Sequence, residues 1–310
     1  MLVFGPVPSR RLGRSLGINN IPPKHCSYSC LYCQVGPTSA TEIKPHVFYK
    51  PEAIFDAVEQ HLVKLKPENP KIDYLTFVPD GEPTLDACLG KAIGLLRRLK
   101  IKIAVISNAS LIWQPQVRDM LKLADWVSLK VDSVDEDIWR RINQPHQNLS
   151  LDDIMSGMLT FKKEFGGTLA TETMLLEGIN TADDAIERLG NFLQKLRPDE
   201  IYLAIPTRPT ADSTVRAADA ETVNRIYQTL SQSLTGIELL TGYEGDGFAS
   251  TGNFVENLLA ISAVHPMRKD AVLNLMAKTG ADWNAVQALL DNGTLREIEY
   301  QGHYFYLRIA

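Results

Sequence analysis

Between about residues 50 and 240 the apolar positions alternate between two rhythms. Ile54, Val58, Leu62 and Leu65 recur at helical spacing, which predicts a helix over 51–66 with Pro51 suited to its first turn. The run DYLTFV (73–78) then predicts a strand that stops at the turn Pro79-Asp80-Gly81. The same alternation continues, with helices expected over 86–100, 116–123, 151–165, 182–196 and 218–233 and strands over 101–106, 126–131, 168–175 and 201–205. Ser150 with Asp153 is a capping pattern for one helix, and Thr181 is expected to cap the next. Counting a first strand over 15–19, the chain holds about six strand–helix units. Such units build a parallel sheet covered by helices. Six are too few to close an eightfold barrel, so the expected fold is α/β, a partial (βα)6 barrel, with its chemistry at the carboxyl ends of the strands.

The pattern changes at 242–257, GYEGDGFASTGNFVEN, which has the composition of a linker. The expected organisation is therefore a barrel over 1–241, a linker over 242–257 and a small unit over 258–310. In the last, helices over 268–278 and 282–291 precede a hairpin around Gln301-Gly302, an order like that of a winged helix. Its charges do not suit DNA. Arg268, Lys269, Lys278, Arg296 and Arg308 are balanced by Asp270, Asp282, Asp291, Glu297 and Glu299, and the helix over 282–291 carries no basic residue. Sequence-specific DNA binding is not expected. Capture of a peptide strand, or simple packing on the barrel, fits better. Tyr300, Tyr304, Phe305 and Tyr306 read as the apolar face of the hairpin.

Composition narrows the classes further. The 310 residues are 45% hydrophobic and 22% charged, which are globular proportions. No apolar run is long enough to span a membrane, and the first residues lack the apolar core of a secretion signal. The net charge of -5 excludes a globally basic nucleic-acid coat. Three of the four cysteines, Cys26, Cys30 and Cys33, fall within eight residues. That is not a disulfide framework. It points to metal ligation in a reducing compartment, the cytoplasm.

The spacing Cys26-x3-Cys30-x2-Cys33 is the strongest signal in the chain. Three thiolates can hold three irons of a [4Fe–4S] cluster and leave the fourth iron open to a cofactor or substrate. The alternative is a zinc ion with His25 as fourth ligand, which would require adjacent side chains to share one ion. Cys88, far away in sequence, reads as a buried inert thiol.

With Tyr32 as its aromatic residue, this motif resembles the signature of the radical S-adenosylmethionine (SAM) superfamily over roughly residues 10–240. The resemblance implies that the open iron chelates SAM and that its reductive cleavage yields a 5′-deoxyadenosyl radical. It implies that Tyr32 and Gly81-Glu82-Pro83 seat the cofactor, with Ser107, Asn108, Ser128 and Asp132 as further contacts. It also implies a one-electron donor of the flavodoxin or ferredoxin type. Gly81-Glu82-Pro83, Ser107-Asn108, the segment from Ser128 to Asp132 and Arg141-Ile-Asn-Gln-Pro145 together resemble the catalytic domain of 4-demethylwyosine synthase, which builds a tricyclic tRNA base. No second cysteine set precedes Cys26, so a second cluster is not expected. The fuller match is to an uncharacterised bacterial and archaeal group related to that enzyme. Its hallmarks stand here as Phe4-Gly5-Pro6-Val7-Pro8-Ser9-Arg10-Arg11-Leu12-Gly13, Ser15-Leu16-Gly17, Pro79 to Leu85, and His265-Pro266-Met267-Arg268.

Charge supplies the substrate candidates. No acid occurs before Glu42, while Arg10, Arg11, Arg14 and Lys24 do. This strip could offset the charge of a thiolate-bound cluster or hold an anionic substrate. Arg10, Arg11, Asp80, Lys130 and Arg208 are the substrate-side candidates, with Glu172 a weaker one. The first expectation is radical modification of RNA, a tRNA base. The alternatives are a peptide or protein held by the carboxyl-terminal unit, a small molecule, or a non-enzymatic iron–sulfur protein.

Overall fold

The computed structural model describes residues 2–65, 71–242 and 252–309. Its main element is an eight-stranded sheet in which every strand lies beside its neighbour in sequence. Strands β1 (Val3–Ser9) and β2 (Gly13–Ile18) form an antiparallel hairpin. From β2 onward all pairings are parallel, through β3 (Tyr74–Phe77), β4 (Lys102–Ser107), β5 (Trp126–Lys130), β6 (Thr168–Met174), β7 (Glu200–Ala204) and β8 (Ile237–Leu240). The sheet is curled into a half barrel.

Helices cover its convex side. They are α1 (Pro51–Leu65), α2 (Leu89–Leu96), α3 (Pro115–Leu121), α4 (Glu136–Asn143), α5 (Leu151–Glu164), α6 (Asp183–Leu196) and α7 (Ala220–Ser231). The alternate residues of each strand that face them, such as Leu75, Phe77, Ile103, Val105, Val127 and Leu129, are fully buried.

Six of the parallel strands stand where the apolar runs placed them. Other features differ from expectation. Strand β1 carries Pro6 and Pro8, which lack a ladder donor, and it is tolerated because it is an edge strand. Strand β8 is only four residues long. Helix α4 lies between the strand expected over 126–131 and the helix expected over 151–165, where the apolar pattern predicts no element. Helix α6 begins at Asp183 behind Ala182, so Thr181 is not its cap, whereas Ser150 Oγ does accept from Asp153 N at 3.3 Å at the start of α5. Among the described residues no helix is long and apolar enough to cross a membrane.

The half barrel is filled from its open side. Leu12, in the β1–β2 turn, joins Ala104, Trp126, Tyr202 and Leu240 in a cluster on the inner face. The carboxyl-terminal residues then form α8 (Phe254–Ser262), β9 (Met267–Arg268), α9 (Lys269–Thr279), α10 (Trp283–Asp291) and the hairpin β10 (Leu295–Tyr300) and β11 (His303–Arg308). Helix α8 begins inside the segment read as a linker, because Asn253 caps it by accepting from Glu256 N and Phe254 is buried. Residues 243–251 of that segment lie outside the described residues. The three strands pair in the order β10-β11-β9. This unit has its own core, with Leu258, Met267, Val272, Leu275, Val286 and Tyr306 at its centre. It adheres to the barrel through Ala260 and Val264 against Phe4, Val7 and Val78.

Phe4 also explains one glycine. Phe4 pairs with Gly17 across the hairpin, and a Cβ at Gly17 would lie 2.1 Å from the Phe4 ring. Gly17→Ala is expected to overpack this contact and cost about 1–3 kcal/mol in a denaturant titration, with Gly17→Val costing more.

Candidate functional site

The three cysteines lie between β2 and α1, in a loop whose backbone is held by other elements. The last carbonyls of α4 have no partner within their own helix. They accept from the loop instead, Asn143 O from Ser29 N at 3.0 Å and Ile142 O from Leu31 N at 2.9 Å. Tyr28 is buried and its hydroxyl accepts from Trp139 Nε1 at 3.2 Å. Cys33 N donates to Cys30 O at 3.1 Å, and the Lys24 ammonium donates to Val35 O and Gly36 O. With the main chain engaged in this way, Cys26, Cys30 and Cys33 all line one cavity of about 330 Å³ at the carboxyl ends of the strands.

Each cysteine is partly exposed there, but the sulfurs are surrounded by protein. Burial pushes all three thiols up, with Cys30 raised to about 12 by burial first and the Asp132 charge second. Thiols in such surroundings give up their protons to a metal rather than to solvent. Cys88 lies elsewhere, at the start of α2, and is partly exposed rather than buried.

A second clamp comes from the turn after β3. Gly81 has φ +150°, and a Cβ there would stand 2.0 Å from the His25 carbonyl oxygen. That closeness lets Glu82 N donate to His25 O at 2.9 Å and Lys24 N donate to Asp80 O at 2.8 Å, so the turn is laced to the residues just before Cys26. The Glu82 carboxylate is 1% exposed. It accepts from Thr84 N at 3.1 Å, Thr84 Oγ1 at 2.6 Å, Ser107 Oγ at 2.7 Å and Asn108 N at 2.7 Å. Burial raises its pKa and these four donors pull it back. Asn108 then extends Nδ2 to Ser27 Oγ at 2.9 Å and to Cys26 Sγ at 3.6 Å. Pro83 is buried behind the turn, where its carbonyl accepts from Asn20 Nδ2 at 3.0 Å.

Asp132, beyond the end of β5, is a third node. It accepts from the Tyr32 hydroxyl, from Asn143 Nδ2 at 2.7 Å and from Met174 N at 2.8 Å. It therefore holds Tyr32 rather than lining the main cavity. Ser128 sits deeper on the same strand, with its hydroxyl buried and no hydrogen-bond partner among the described residues.

The substrate-side candidates do line the cavity, namely Arg10, Arg11, Asp80, Lys130 and Arg208. Lys130 Nζ is 2.6 Å from Glu172 Oε1 and 4.9 Å from the centre of the Tyr32 ring. Arg11 pairs with the same Glu172 carboxylate. Burial lowers the Lys130 pKa, and the neighbouring Asp132 opposes that shift. Asp80 faces Lys24 at 3.4 Å. Arg208 Nη2 lies 2.5 Å from His265 Nε2, its Nε donates to Pro266 O at 3.3 Å, and its Nη1 reaches Gln34 Oε1 at 3.5 Å. Gln34 Nε2 donates to Val264 O at 2.9 Å. Sequence alone does not single out Gln34 as a site residue, and it offers Asn143 and His265 only inside runs that carry a family resemblance. Gln34 directly follows Cys33, while Asn143 reaches the site from a helix far along the chain.

The sequence profile of the radical SAM superfamily matches residues 20–190. This chain belongs to the radical SAM superfamily. Within it, the chain is 45% identical to the UPF0026 protein MJ1312 of Methanocaldococcus jannaschii over 309 residues, covering 99% of this chain and 96% of that one. It is 36% identical to the UPF0026 protein slr1464 of Synechocystis sp. over 209 residues, 67% of this chain and 76% of that one. Among solved structures, a radical SAM methyltransferase from Sphaerobacter thermophilus has the same fold, with TM-score 0.59, 14% identity and coverage of 81% of this chain and 69% of that one. TYW1 with a lysine-pyruvate adduct bound shares it too, at TM-score 0.52 and 16% identity, over 71% of this chain and 73% of that one. The radical SAM assignment makes this an enzyme and implies a [4Fe–4S] cluster and SAM as its equipment.

The Glu82 node is expected to stabilise this radical SAM barrel. Glu82→Gln places an amide nitrogen among four donors, leaving at least one of them buried and unpaired. The expected loss is about 1–3 kcal/mol in denaturant unfolding of the metal-free protein.

Proposed function

We propose that Cys26, Cys30 and Cys33 hold a [4Fe–4S] cluster, that SAM binds beside it, and that the enzyme modifies an RNA base, in the first place of tRNA. The observation that carries the reading is the convergence of three partly exposed cysteines on a cavity that cationic side chains also line. Among the described residues no three His, Cys, Asp or Glu side chains are gathered tightly enough to grip one metal ion. That disposition suits thiolates that each bind a different iron of a cluster better than it suits a single zinc ion. When bound, the cluster and SAM supply reductive one-electron cleavage of the cofactor's sulfonium.

The protein's own part is to position and to exclude water. Tyr32, Gly81, Glu82, Ser107 and Asn108 face the cavity beside the cysteines and are assigned to the cofactor. In this reading Glu82 acts chiefly through Ser107 and Asn108, which it holds, and Asp132 through Tyr32. Pro83 and Ser128 shape the turn and the strand behind them. Arg10, Arg11, Lys130 and Arg208, with Asp80, are assigned to the substrate, and their excess of positive charge suits an anionic one such as RNA. The carboxyl-terminal unit, with balanced charges, is read as a winged-helix-like wall of the cavity rather than a nucleic-acid tether. Its Val264 and His265 are part of the lining. The reducing electron is assigned to a flavodoxin- or ferredoxin-type donor.

After anaerobic reconstitution and reduction with dithionite, the wild-type protein is expected to release 5′-deoxyadenosine, detected by chromatography, and Cys30→Ala to release none. Equal yields from the two would sink the cysteine assignment. For the substrate, mass spectrometry of tRNA nucleosides from a deletion strain is expected to lack one modification. An unchanged profile, with and without oxygen in the culture, would count against RNA and leave peptide or small-molecule substrates.

A further inference from the structure

Two buried carboxylates, Asp132 and Glu82, stand behind the cysteine loop. At both places an asparagine lies between acid and sulfur. Asn143 is 2% exposed. Its Nδ2 donates to Asp132 Oδ2 at 2.7 Å and stands 3.4 Å from Cys30 Sγ. An amide nitrogen carries two hydrogens, so one can serve the carboxylate and the other the sulfur. Asn108 divides the work differently. Its backbone N–H donates to Glu82 Oε2 at 2.7 Å, and its side-chain Nδ2 reaches Cys26 Sγ at 3.6 Å.

The main chain leaves this task to side chains at Cys30. Ser29 N and Leu31 N are engaged with α4, and Cys33 N with Cys30 O. Cys30 takes its N–H from Asn143.

We propose that Asn143, and to a smaller degree Asn108, set the reduction potential of the cluster held by Cys26, Cys30 and Cys33. This rests on the cysteine assignment above. An N–H directed at a ligating sulfur draws off negative charge and favours the state with one more electron. Without it, only the Tyr32 hydroxyl, which donates to Asp132, stands near that sulfur and the buried carboxylate. Both asparagines are positioning residues here, since they act through sulfur and need not touch substrate. The electron comes from an external one-electron reductant, and no bond forms or breaks at either asparagine.

The test is an EPR-monitored redox titration of the reconstituted full-length protein without SAM. Asn143→Ala is expected to move the midpoint to more negative potential by about a tenfold change in the redox equilibrium, which is about 59 mV for a one-electron couple. Asn143→Asp, which adds charge beside Cys30, is expected to move it further. Asn108→Ala is expected to shift it in the same direction by less, because Asn108 Nδ2 stands farther from its sulfur, at 3.6 Å against 3.4 Å, and also serves Ser27 Oγ. Unmoved midpoints in Asn143→Ala and Asn108→Ala, with full cluster content, overturn the proposal. If Asn143→Ala does not retain the cluster, the Asn108→Ala titration decides alone, and an unmoved midpoint there overturns it. A wild-type protein that assembles no reducible cluster is a different failure, that of the cysteine assignment itself.

Discussion

A loop that must turn three thiols toward one cavity cannot use its backbone in a helix or a strand. Its buried N–H and C=O groups still need partners, since an orphaned one costs as much as a lost hydrogen bond. Here the partners are borrowed. The free carbonyls at the end of α4 take the N–H groups of Ser29 and Leu31, and the β3 turn takes the residues just before Cys26. Both loans depend on a buried carboxylate. Asp132 ties Asn143 to Tyr32, and Glu82 ties the β3 turn to Ser107 and Asn108 at the end of β4. The loop is thus held from two sides, by the end of α4 and by the β3 turn.

The cationic side of the cavity follows from the open barrel. A half barrel leaves a gap between β1 and β8, and the β1–β2 turn fills it by sending Leu12 to the inner cluster and Arg11 to Glu172 on β6. Charge brought into that position needs a counter-charge. Glu172 serves Arg11 and Lys130 together. The amino-terminal strip is thus neither a solvated surface nor a uniform phosphate clamp. Part of it is internal structure, and Lys130 is held over the ring of Tyr32 by the same carboxylate.

How far the residues alone reveal this depends on the range of the contacts. The six strands from β2 to β7 are apolar runs bounded by turn residues, and periodicity finds them. Strand β1 is hidden by Pro6 and Pro8, which argue against any strand that is not an edge. Helix α4 has only Ile138, Trp139 and Ile142 as apolar residues, although Glu136 and Asp137 at its start and Arg140 and Arg141 at its end mark both termini. The cysteine trio is local and therefore readable. Asn143 stands in the Arg141–Pro145 run of the resemblance, but only the folded chain shows it touching Cys30 and Asp132 from a different element. Likewise a GEP-type motif implies a cofactor contact, but only the folded chain shows Glu82 occupied by Thr84, Ser107 and Asn108.

The reach of the α4 contacts has a consequence in time. Asn143 lies 113 positions after Cys30. During synthesis the cysteines leave the ribosome well before the helix that satisfies their loop exists. Until α4 has been made and docked, the thiols sit on a segment without its backbone partners. Whatever the three thiols take up therefore meets an organised loop only once α4, more than halfway along the barrel, has docked.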